Sequence, residues 1–189
     1  MPTNQTDGTD HENTPVCIRV VVAYEDYDAG KRAQRTCQQI LQLAHLEKSF
    51  STDLWKFDML ELRAMREAAT DEAADAALLV VAPHDDDNLP AGLREWIERS
   101  LLQPLRPKAL LVLAGSPPRN HEEKTPTELQ LERAAAQVNC AYWCLHLDPP
   151  DGAWSEPAYP MAELQPVAQA LFAQSQVSHA PSSREFPAR

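Results

Sequence analysis

The chain has 189 residues, 43% of them hydrophobic, with 28 acidic against 17 basic side chains and a formal net charge of -11. This length and apolar content support one domain with a sizeable core, while the acidic balance and the lack of a Lys/Arg cluster exclude a nucleic-acid face and disfavour an anionic membrane surface. No apolar run reaches the ~20 residues of a membrane span, and the opening MPTNQTDGTDHENTP has neither the basic nor the apolar region of a secretory signal, so a cytoplasmic protein is expected.

Residues 1–15 are polar and read as a disordered leader, and 175–189 as a flexible tail, leaving 16–174 as one domain. Cys17 to Tyr24 is a short apolar run, predicted as a buried strand. Asp28 is the expected N-cap of the following helix, whose apolar face is Ala33, Cys37, Ile40, Leu41 and Ala44. Thr52 to Phe57 reads as a second strand with Trp55 and Phe57 on one face. Leu62, Met65, Ala69 and Ala73 suggest a second helix of weaker apolar moment. Ala76 to Val81 is a third strand, and Leu93, Trp96, Ile97 and Leu101 stripe a third helix.

Ala109 to Ala114 is a fourth buried strand. After a long loop, Thr125-Pro126-Thr127-Glu128 opens a helix as a capping box with proline first, burying Leu131, Ala135 and Val138. Ala141 to Leu147 is a fifth strand; the proline-rich segment from Asp148 to Pro160 is irregular. Leu164, Val167, Ala168, Leu171 and Phe172 stripe a last helix, which kinks at Pro166 or starts close to it. Strands alternating with helices imply an α/β three-layer sandwich around a five-stranded parallel sheet. The expected order is 2-1-3-4-5, with ligands beyond the carboxyl ends of strands one and three. The loops at 24–30 and 83–90 are therefore where chemistry is sought.

The segment ADAALLVVAPHDDDNLPAGLREWIE combines a buried strand, an acidic loop and an amphipathic helix. Asp75, Pro83, Pro90, Leu93, Trp96 and Ile97 occupy positions of a pattern found in flavodoxin-like NADPH-dependent FMN and quinone reductases, which this chain resembles from about Val16 to Phe172. The resemblance implies a flavodoxin-like domain and, in the family, an FMN phosphate held by backbone N–H groups and a helix N-terminus. Here that first loop reads Tyr24-Glu25-Asp26-Tyr27-Asp28-Ala29-Gly30, with three carboxylates where a phosphate dianion would sit. Asp85-Asp86 replace the family's Tyr-Asn pair, and the glycine-rich loop after strand four keeps only Gly115.

The resulting expectation is a flavodoxin-like binding or interaction domain that has lost FMN binding, with no cofactor and an unidentified small-molecule ligand. The alternative is a divergent FMN-dependent NAD(P)H oxidoreductase, in which Tyr24 and Tyr27 stack the flavin. A second alternative is a receiver-like Mg²⁺-binding signalling module. Its candidate ligands are Asp26, Asp85 and Asp86 within the group Glu25, Asp26, Asp28, Asp85, Asp86 and Asp87. Against it, Val81-Ala82-Pro83 stand where a receiver carries its acceptor aspartate, and solvated loop carboxylates are the simpler reading. His84 borders the same loop as a candidate base or ligand, though a surface histidine is the simpler reading, as for His121. Cys140 and Cys144 are too far apart on an extended strand, ~13 Å, for a disulfide, and read as small buried hydrophobes. A homodimer is expected from the family, through Trp96, Leu101 and Leu102 and the segment Trp154 to Tyr159. Trp96 and Leu101 facing the sheet is an equally weighted reading.

Overall fold

The computed structural model describes residues 18–46, 50–84, 89–102, 108–115, 124–147 and 159–177. Five strands form one sheet: β1 (Ile18–Tyr24), β2 (Phe50–Lys56), β3 (Ala76–Ala82), β4 (Ala109–Ala114) and β5 (Ala141–His146). Their spatial order is β2-β1-β3-β4-β5 with every pairing parallel, which is the flavodoxin-like order. The two central runs, AALLVVA and ALLVLA, are buried at every position, because helices cover both faces of the sheet there. The edge strands β2 and β5 are more polar and only partly buried. Between Arg19 and Val20 the register against β3 slips by one residue, the signature of a bulge.

The helices are α1 (Tyr27–Leu43), α2 (Phe57–Glu61), α3 (Arg63–Ala74), α4 (Ala91–Leu102), α5 (Pro126–Gln137) and α6 (Met161–Val177). Strand alternation splits the core in two. Val20, Val22, Leu78, Val80, Leu111 and Leu113 face one layer, with Ala33, Cys37 and Ile40 of α1 and Leu164, Val167 and Leu171 of α6. Val21, Leu79, Val81, Leu110 and Val112 face the other, with Ala69 and Ala73 of α3, Leu93, Trp96 and Ile97 of α4, and Leu131 and Ala135 of α5. The period-2 pattern of the strands thus meets the 3.6-residue stripes of the helices on both sides.

Several expectations need correction. Phe57 is not on β2; it opens α2, where it is buried, and the chain turns into α3 through Leu62, whose backbone is extended (φ -82°, ψ 119°). The single second helix is therefore two, and Leu62 and Met65 stand exposed while Ala69 and Ala73 carry the buried face. Phe172 is also exposed, off the α6 stripe. Pro166 lies inside α6, five residues past its first residue, and removes the hydrogen bond its nitrogen would have given Ala162. Ser175, Gln176 and Val177, read as tail, complete α6. Trp96 is wholly buried and Leu101 nearly so, leaving only Leu102 of that trio outward. Tyr159 is buried too, its hydroxyl donating to the Ala114 carbonyl at 3.3 Å, so it belongs to the core. Trp154 and Cys17 lie outside the described residues. Among the described residues no helix is long and apolar enough to cross a membrane.

Candidate functional site

The switch point of this sheet lies between the carboxyl ends of β1 and β3, where neighbouring connections leave in opposite directions. One hydrogen bond sets its geometry. The Glu25 amide donates to the Ala82 carbonyl at 3.1 Å, extending the β1–β3 ladder by one residue beyond Tyr24. Asp26 is then the first residue free to leave the strand, and its extended backbone (φ -132°, ψ 177°) makes it the N-cap of α1. Its Oδ1 accepts the Ala29 amide at 2.8 Å. The N-cap is therefore Asp26 rather than Asp28, which sits exposed in the first turn as a second acid on the positive end of the helix.

The other Asp26 oxygen, Oδ2, lies 3.0 Å from Nδ1 of His84. The His84 backbone amide donates to Glu25 Oε2 at 2.6 Å. So the two loops are stapled by carboxylates of β1's exit to the side chain and main chain of β3's exit. Both groups of the Asp26–His84 pair are about half exposed, so screening keeps the pair's contribution to stability small. Gly115 closes the third side. A Cβ there would lie 2.3 Å from the His84 carbonyl oxygen, so only glycine lets β4's exit approach this closely.

Tyr24 is half-buried and packs its ring over Gly30, where a Cβ would come within 2.8 Å of Cδ2. It is a structural neighbour of α1. Tyr27, by contrast, is 78% exposed. The fold brings Tyr24, Glu25, Asp26, Tyr27, Asp28, His84 and Gly115 to one edge of the sheet; Asp85, Asp86 and Asp87 lie outside the described residues, as does His121. Asp26→Ala is expected to cost about 1 kcal/mol through loss of the cap, and Asp26→Asn much less, since an asparagine caps as well. Urea melts of the two variants check this; equal losses would mean that the His84 contact, not the cap, carries the stability.

A second helix N-terminus at this edge is closed in the same way. Glu61 of α2 accepts the Gly92 amide in the first turn of α4 at 2.8 Å. That reach across 31 positions had no local signal in the sequence. Arg66 fixes the same corner, donating to the Leu60 carbonyl at 2.6 Å and pairing with Glu95 at 3.0 Å. Elsewhere, burial pushes the Cys37 thiol up to about 12, in keeping with its place on the apolar face of α1. Cys140 and Cys144, expected as small buried hydrophobes, are only half-buried, and the Cys140 thiol donates to the Lys108 carbonyl at 3.2 Å. A cleft of about 490 Å³ between α4 and α5, lined by Arg94, Ile97, Leu129 and Arg133, lies away from the switch point.

One convergence escaped the sequence reading: Glu128, Cys144 and His146 meet beside β5. The available signal was the alternation Cys144-Leu145-His146, which puts cysteine and histidine on one face of a strand.

No protein-family model matches the chain, and no curated protein does. Three solved structures with a similar chain path are as follows. A short-chain flavodoxin associated with a bacterial microcompartment is 14% identical over 85% of this chain and 99% of its own, with a TM-score of 0.49. A flavo di-iron protein of Thermotoga maritima is 14% identical over 83% of this chain and 36% of its own, with a TM-score of 0.42. The general stress protein 14 of Treponema denticola, in complex with FMN, is 15% identical over 85% of this chain and 98% of its own, with a TM-score of 0.40. The strand order itself defines the chain as a flavodoxin-like α/β domain.

Proposed function

We propose that this chain is a flavodoxin-like binding or interaction domain that does not hold FMN, because its own carboxylates fill the place of the flavin phosphate. The supporting observation is the bonding of Asp26 and Glu25. One caps α1 and pairs with His84; the other accepts the His84 amide. A phosphate dianion at this edge competes with an internal anion that is always present. It also meets Glu25, Asp26 and Asp28 together, and each like charge at 4 Å costs about 4 kcal/mol at an effective dielectric near 20.

Titration of the purified chain with FMN, read by flavin fluorescence, is expected to show no saturable binding up to about 100 μM, weaker than ~-5.5 kcal/mol. Micromolar binding would overturn the reading and favour the alternative, a divergent FMN-dependent NAD(P)H oxidoreductase. For that alternative the supporting feature is Tyr27, an aromatic ring standing exposed beside the edge where a flavin would lie. A cytoplasmic setting is part of the same proposal. So is the homodimer, now on a smaller surface: Leu102, 66% exposed, and Leu129 are the outward apolar side chains of α4 and α5.

A further inference from the structure

We infer that Glu128, Cys144 and His146 form a site for a single transition-metal ion of zinc type, with one coordination position left for a water or small ligand. This site is separate from the switch-point loops and does not depend on the reading given for them.

The ligands stand on rigid elements. Cys144 and His146 are two apart on β5, so their side chains share a face, and pairing with Val112 and Ala114 of β4 fixes their register. Glu128 is the third residue of α5. Its amide donates to the Thr125 hydroxyl at 3.2 Å, and its carbonyl accepts the Tyr142 hydroxyl at 3.3 Å. The helix start is thus anchored at both ends of the Glu128 peptide, one anchor coming from β5 itself. In a capping box the glutamate at this position turns back to the N-cap amide. Here its carboxylate turns to β5 instead, with Oε1 3.2 Å from His146 Nε2.

Two of the three ligand separations lie near those around a bound ion. Cys144 Sγ lies 3.8 Å from the same Nε2, and the sulfur, nitrogen and carboxylate oxygen all lie within 4.8 Å of one another. Tetrahedral zinc, with bonds of about 2.3 Å to sulfur and about 2.0–2.2 Å to nitrogen and oxygen, sets its ligand atoms roughly 3.3–3.7 Å apart. Both the sulfur and the carboxylate face one ring nitrogen. In a nucleophile–histidine–acid relay they would take opposite nitrogens; a common metal centre explains why they do not. The Glu128 side chain is only 7% exposed and that of His146 24%. A buried carboxylate needs a compensating positive charge. A dication bound to one thiolate, one carboxylate and a neutral imidazole gives a neutral site, the thiol proton leaving to solvent. The mixed S, N, O set favours zinc, cobalt or a similar borderline ion over Mg²⁺ or Ca²⁺, which take oxygen ligands.

The test uses the untagged full chain, stripped with chelator. Calorimetric titration with Zn²⁺ is expected to give one equivalent at micromolar affinity or tighter. Co²⁺ in its place is expected to give thiolate-to-metal absorption in the near ultraviolet. Cys144→Ser should abolish that absorption, and Cys144→Ser, His146→Ala and Glu128→Gln should each weaken Zn²⁺ binding at least 10-fold. Cys140→Ser, in a neighbouring thiol outside the cluster, should change neither. Far-UV circular dichroism of each variant establishes folding, and Glu128→Gln and Cys144→Ser nearly keep the side chain's shape where His146→Ala removes the ring. Wild-type binding only in the millimolar range, or wild-type affinity kept in folded Cys144→Ser, overturns the site.

Discussion

Trp96→Ala is expected to lower unfolding stability by about 3–5 kcal/mol, the range for deleting a fully buried tryptophan. The residue has no exposed surface and sits in the α3/α4/α5 layer with Leu93, Ile97, Leu79 and Val112. Natural domains hold only ~5–15 kcal/mol in total, so the variant is expected to melt well below the parent. Trp96→Phe sharpens the prediction. The indole Nε1 meets no hydrogen-bond acceptor among the described residues, and an unmade bond of that kind costs about 1–3 kcal/mol. Removing the N–H offsets part of the lost volume, so Trp96→Phe should cost only ~1 kcal/mol. Light scattering of both variants separates a core role from an interface role. A dimer, where the parent forms one, should survive Trp96→Phe and weaken with Leu102→Ala, which costs less than about 0.5 kcal/mol of fold stability. A Trp96→Ala protein that melts like the parent but shifts to the monomer mass of 21.1 kDa would reverse this assignment.

The fold was legible because its central strands read as unbroken apolar runs and its helices as stripes. The run Ala109 to Ala114 coincides with β4 residue for residue, and Leu93, Trp96, Ile97 and Leu101 of the α4 stripe are all buried. Local ambiguity produced the errors. Asp26 is the same residue type as the expected cap Asp28, and only the Glu25–Ala82 bond, a tertiary fact, decides that the chain leaves β1 at Asp26. Leu62 and Met65 fit a helical stripe with Ala69, yet a break at Leu62 turns that face to solvent. The switch-point edge followed from topology, but its internal bonding did not. The 59 positions between Glu25 and His84 and the 31 between Glu61 and Gly92 leave no pattern to read. Glu128 differs for the opposite reason: Thr125 caps its amide as a capping box requires, but the carboxylate turns to His146 and not back to the N-cap.

Gly115→Ala is the second large effect, because the atoms in the way are all main chain. The new Cβ would meet the His84 oxygen at 2.3 Å, the His84 carbonyl carbon at 2.9 Å and the Pro83 oxygen at 2.9 Å. No described glycine has a positive φ, so the requirement here is space and not backbone freedom. A flexible side chain would swing aside at little cost, whereas these carbonyls belong to the exit of β3, whose strand is buried along its whole length. Overpacking of this kind costs about 1–3 kcal/mol, which lowers the melting temperature by a few to about ten degrees in a chain of this size. The displacement must pass to His84, and so to its contacts with Asp26 and Glu25. Gly92→Ala is the control: its Cβ would meet the Leu60 carbonyl at 2.5 Å, a comparable clash at the α2–α4 corner. Both variants are expected to lose stability, but only Gly115→Ala should shift the imidazole resonances of His84. If Gly115→Ala melts within about a degree of the parent and leaves those resonances in place, the β4 exit does not hold the switch-point loops together.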